Sequence, residues 1–124
     1  MIKKIMEALR QRAVEWNATQ PAGTQGKIDL TFRALELAGE LGEACNIAKK
    51  IARERLGLRG KRATKEQLAY ELGDAMICVL NICIDEDIDP EKAIITAFNN
   101  KSEEMGFKTR IPLQLGGTFV INDE

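Results

Sequence analysis

Two acidic motifs are spaced as if they act together. In ELAGELGEACNIAKK (residues 36–50), Glu36, Glu40 and Glu43 recur every three or four positions among alanines, leucines and glycines. An α-helix turns about 100° per residue, so positions 36, 40, 43, 47 and 50 share one stripe. Acids this regular on a solvated face ordinarily have basic partners three or four residues away. Here the residues between them are apolar or tiny, and Lys49 and Lys50 arrive only at the end. A second stripe runs through Gln67, Glu71, Asp74, Cys78 and Asn81, in a segment apolar nearly all round, LAYELGDAMICVLNICI (68–84). A helix with that much apolar surface is expected to be largely buried, and carboxylates inside it need a partner. If the two helices face each other, Glu40, Glu43, Glu71 and Asp74 converge. Such a cluster is relieved by a divalent cation or by protonation of some members. Either motif alone reads as a solvated helix face; the two together, each in an apolar helix, favour the cluster. Glu36 is either an outer member of it or a solvated bystander.

The chain has no histidine. That excludes histidine-based triads and the ferritin-like di-iron site, which needs Glu-x-x-His on two helices. Three poorly spaced cysteines do not make a zinc site. Metal chemistry must therefore rest on carboxylates, and oxygen-only sites favour magnesium, manganese or calcium.

The elements that would carry these residues are helical. Ile2, Ile5, Met6, Leu9, Ala13 and Trp16 recur at helical spacing and predict an amphipathic helix over 2–17. ATQPAGTQGK (18–27) is a loop by composition. A long helix is expected from a cap at Asp29 or Thr31 to about Leu56, before Gly57 and Gly60 break the pattern. Thr64 and Gln67 form a capping box that opens a third helix, running to about Asp85. Asp89, Pro90 and Glu91 supply cap, first-turn proline and first-turn acid for a fourth, closed near Met105 by Gly106. The segment IPLQLGGTFVINDE (111–124) reads as a loop or short strand. The expected fold is an all-α helical bundle over residues 1–110, with a short irregular or β-like tail over 111–124 packed on or near it.

With 124 residues and a net charge of −1, one domain is expected, with no global attraction to nucleic acid or anionic membranes. The charged N-terminal segment MIKKIMEALRQR holds no apolar run of signal-peptide length. Cys45, Cys78 and Cys83 lie in apolar helical stretches and are expected to be buried, reduced thiols, which points to the cytoplasm.

The paired motifs resemble those of the MazG-like, all-α nucleoside triphosphate pyrophosphohydrolases, whose mark is E-x-x-E on one helix and E-x-x-D on the next. GELGEA supplies Glu40 and Glu43; YELGDAM supplies Glu71 and Asp74, after an intervening stretch over 44–70. The resemblance covers roughly residues 30–110. It implies cleavage of a nucleoside triphosphate between the α- and β-phosphates, giving monophosphate and pyrophosphate. The four acids would hold magnesium, and Glu40 or Glu43 would orient or deprotonate the attacking water. It further implies that Asn100 and Lys101 contact phosphates, although Met105 stands where many members carry an arginine, leaving Lys108 or Arg110 as the replacement. Two long helices pairing across a homodimer, in some members a tetramer, are also implied.

Further phosphate contacts are sought in KKIARERLGLRGKR (49–62), with seven basic residues against one acid. Lys50 is the best placed, on the carboxylate stripe two turns from Glu43. The other cations also read as a solvated helix end favoured by the dipole. Trp16, the only tryptophan, is expected to pack in the core, as are Phe32 and Phe98. Its alternative role is a stacking platform for the base, with Asn17 supplying polar readout. Two other functions compete with the pyrophosphohydrolase: a phosphoribosyl-ATP pyrophosphohydrolase-like enzyme, and a non-catalytic helical interaction module whose acids bind a structural cation. Nucleic-acid binding through 49–62 would require salt-sensitive affinity.

Overall fold

In the computed structural model the helices fall where the caps place them. Residues 1–24, 26–115 and 118–120 are described, with side chains over 1–24 and 26–112. The helices are α1 (Ile2–Ala18), α2 (Leu30–Arg55), α3 (Lys65–Asp85) and α4 (Pro90–Met105). The body is all-α, and a short antiparallel pair follows it: β1 (Leu113–Leu115) and β2 (Thr118–Val120), with Gln114 opposite Phe119. The tail, expected as a loop or short strand, thus carries two short strands, while 116–117 and 121–124 lie outside the described residues.

α2, α3 and α4 each start where a side chain accepts an otherwise orphaned amide proton, while α1 starts at Met1 without a side-chain cap. Asp29 Oδ1 accepts from Phe32 N at 2.9 Å, so Asp29 and not Thr31 is the cap of α2. Thr64 and Gln67 form both bonds of the capping box of α3. Asp89 caps α4, with Pro90 in its first turn. The end of α2 is a Schellman turn: Gly57 adopts φ 71°, its N–H reaches Glu54 O, and Leu58 N donates to Arg53 O at 2.9 Å.

Residues 1–86 and 87–124 form two compact units. In the first, α2 and α3 make the main packing contact and α1 lies against α3. The two long helices run antiparallel, because Arg33 near the start of α2 pairs with Asp85 at the end of α3 while Glu40 and Glu43 meet Glu71 further along. Met6, Leu9, Ala44, Ala75, Cys78 and Cys83 form the buried core. That core is small, and α3 is less buried than its composition predicts: Leu72, Met76 and Val79, one stripe at i, i+4 and i+7, are 44%, 61% and 44% exposed. By length and composition alone α3 would also be apolar enough to cross a membrane. In the second unit, the Asn99 amide clamps the chain after α4. It donates to Ile111 O at 3.0 Å and accepts from Ile111 N at 2.8 Å.

Candidate metal centre and adjoining cleft

The stripe of α2 and the stripe of α3 meet. One carboxylate oxygen from each of Glu40, Glu43 and Glu71 lies within 4.8 Å of the others, with Glu40 and Glu71 half-buried and Glu43 exposed. Asp74, also half-buried, falls outside this tight set and acts on it through its charge. The Oε2 atoms of Glu40 and Glu71 are out of contact with solvent and accept no hydrogen bond. A buried acceptor without a donor is costly, so these two oxygens are the atoms that lack a partner.

The electrostatics follow from this crowding. Burial raises the Glu40 carboxyl above its ordinary range, and the negative charges of Glu43, Asp74 and Glu36 raise it further. Burial also raises the Glu71 carboxyl above its ordinary range, and the neighbouring Glu43, Asp74 and Glu40 carboxyls raise it further. The buried Cys78, one turn beyond Asp74 on α3, is raised by burial and by Glu36, Glu40 and Asp74, partly offset by Arg33. The arrangement suits a hard divalent cation, since carboxylates from two facing helices supply several oxygen donors and no soft ones.

Glu36 is neither a member of this set nor a bystander. Arg33, three residues earlier, bonds to it: Nη1 lies 3.5 Å from Glu36 Oε1, while Nε donates to Asp85 Oδ2 at 2.8 Å. The acidic stripe does have a basic partner at helical spacing, one turn before its first acid. Arg33 lies ahead of the acids, outside the stretch 36–50 in which their partners were expected. The Asp85 contact, 52 residues away, leaves no local signal.

A cleft of about 370 Å³ opens beside this ion pair, lined among others by Trp16, Phe32, Arg33, Glu36, Asn81 and Asp85. Asn17 lines it too. Trp16 and Phe32 are 58% and 50% exposed, so the core positions expected for them are not adopted. The α1–α3 contact is too slight to cover either ring, and both border the cleft instead. Phe98, on α4, is likewise exposed. Cys45 is exposed, unlike Cys78 and Cys83, so the burial expected for all three holds for two: Cys45 lies on a face of α2 that α3 does not cover.

Lys50 is half-buried on α2, two turns beyond Glu43, and forms no ion pair among the described residues. Beyond it, Arg53 crosses the following loop: its guanidinium donates to Lys61 O, and its side chain passes over Gly60. Asn100, Lys101 and Arg110 belong to the second unit. Asn100 is exposed, Lys101 pairs with Glu104 at 3.2 Å, and Arg110 pairs with Glu103 at 2.8 Å.

In comparisons with protein-family models, curated proteins and solved structures, nothing matches this chain.

Proposed function

We propose that the chain is a magnesium-dependent nucleoside triphosphate pyrophosphohydrolase of the MazG-like kind. It releases nucleoside monophosphate and pyrophosphate and serves in cytoplasmic nucleotide-pool control. The observation that carries the reading is the pair of partnerless oxygens, Glu40 Oε2 and Glu71 Oε2, in a set with Glu43. Glu40, Glu43 and Glu71, with Asp74 beside them, are the ligands for magnesium, or for manganese in its place. A cation held there supplies charge neutralisation for the phosphates and acidification of the attacking water. Glu43, the exposed member, is open to solvent and suited to orient that water; Glu40 is the alternative.

Lys50, with no counter-ion among the described residues, is available to the outer phosphates. Trp16 is the surface on which the base stacks. We assign the exposed stripe of Leu72, Met76 and Val79 to a homodimer whose paired long helices complete a four-helix core. Release of pyrophosphate from ribo- and deoxynucleoside triphosphates, with and without magnesium, tests the reaction. Magnesium-dependent release with equimolar monophosphate supports it, and no release from any of them removes it.

A further inference from the structure

The cleft beside the carboxylate set contains an ion pair whose hydrogen-bonding capacity is only partly used. Arg33 is mostly buried, its side chain 14% exposed. A guanidinium carries five N–H donors. Nε serves Asp85 and one Nη1 hydrogen serves Glu36, which leaves three without a partner among the described residues. Glu36 Oε2 and Asp85 Oδ1 likewise accept no hydrogen bond there, and both side chains keep about a third of their surface exposed. No nitrogen of Arg33 is both buried and without a partner, so the remaining donors reach solvent beside the cleft, where a ligand can take them up.

The ligand must be flat and must present an acceptor beside donors. Flatness follows from Trp16 and Phe32, two half-exposed rings bordering the same cleft. The hydrogen-bonding pattern follows from a guanidinium, which only donates, beside two carboxylates, which only accept. Among the nucleobases, guanine presents this complement on one edge: O6 accepts, and the adjoining N1–H and N2–H₂ donate. Adenine and cytosine each offer a single amino donor beside an acceptor, which meets only one of the two carboxylates, and uracil and thymine place acceptors on both sides of a single N–H.

Position agrees with chemistry. Glu36 is one helical turn, about 6 Å, from Glu40 along α2. A base seated against Arg33 is therefore separated from the carboxylate set by the space a ribose fills. We propose that Arg33, flanked by Glu36 and Asp85, is the specificity-determining residue of this cleft and reads the Watson–Crick edge of a guanine base stacked on Trp16. The inference rests on the reading above for the identity of the substrate as a nucleotide, and it adds which base is selected.

Because Trp16 is the only tryptophan, its fluorescence reports stacking directly. The test is a titration of the whole chain, free of divalent cations, with GMP, IMP, AMP, CMP and UMP. GMP is expected to quench at the lowest concentration. IMP, which lacks the 2-amino group, is expected next, and the remaining three weaker than GMP by about five- to a hundred-fold, the value of one bidentate base contact. Arg33→Gln is expected to erase the ranking and Arg33→Lys to reduce it, since a lysine keeps the charge without the fork. Equal quenching by AMP or UMP and GMP overturns the proposal, as does no quenching by any of the five. If Arg33→Gln loses helical circular dichroism, the wild-type ranking decides alone. Triphosphate turnover without a guanine preference defeats this inference and leaves the reaction standing. Guanine-selective quenching without magnesium-dependent turnover does the opposite.

Discussion

Replacing Met76 by glutamate tests whether the exposed stripe of α3 is an interface. Leu72, Met76 and Val79 are each roughly half exposed in the single chain. Across a twofold contact they amount to about three fully buried apolar side chains, or roughly 5–9 kcal/mol of gross burial. Association costs an estimated 4–15 kcal/mol, so the stripe alone is comparable to that cost and the dimer depends on every member of it. Met76 is 61% exposed, and losing its burial in both copies removes about 2–4 kcal/mol. Dimer dissociation should therefore rise by about 30- to 700-fold, before any cost of desolvating the new carboxylate. Sedimentation equilibrium over a concentration series reads this directly, and circular dichroism verifies that the helices persist. The reasoning fails if the wild-type chain is a monomer at all concentrations, or if Met76→Glu sediments as the wild type does.

Without divalent cations, the raised carboxyls of Glu40 and Glu71 make stability fall as pH rises. The folded chain holds these protons more tightly than the unfolded one, so their contribution is full below the ordinary value of 4.5 and is lost as pH climbs through the raised values. Thermal melts in chelator between pH 4.5 and pH 8 should show this, with Glu71→Gln flattening the profile and magnesium restoring stability at the upper end. Asn99→Ala removes both bonds to the Ile111 backbone and should cost about 1–3 kcal/mol; hydrogen exchange at the Ile111 amide should accelerate. Gly60→Ala places a Cβ at φ 135°, 2.5 Å from Arg53 side-chain atoms. It should destabilise by about 1–3 kcal/mol, seen as a melting temperature lower by several degrees.

Helix boundaries were legible because their determinants are local: Asp29, the Thr64–Gln67 box and Asp89–Pro90 each act within four residues. The meeting of Glu40 and Glu43 with Glu71 was legible too, since two acidic stripes in adjacent long helices have few other ways to face. Long-range pairing was not. Nothing in the sequence ties Arg33 to Asp85 or Asn99 to Ile111, and both contacts depend on how helices and loops register in space. Burial was misjudged where composition stood in for packing. The apolar residues of α3 exceed what α1 and α2 cover, and Trp16 lies beyond the reach of the small core.

The most direct test of the central claim is magnesium-dependent pyrophosphate release by the wild-type chain beside Glu71→Gln. The substitution keeps the size of the side chain and removes its charge as a ligand. The account predicts stoichiometric monophosphate and pyrophosphate from the wild type only in magnesium, with turnover reduced at least a hundredfold in a variant whose helices remain intact. Turnover by Glu71→Gln at the wild-type rate, or release that proceeds equally in chelator, would contradict it.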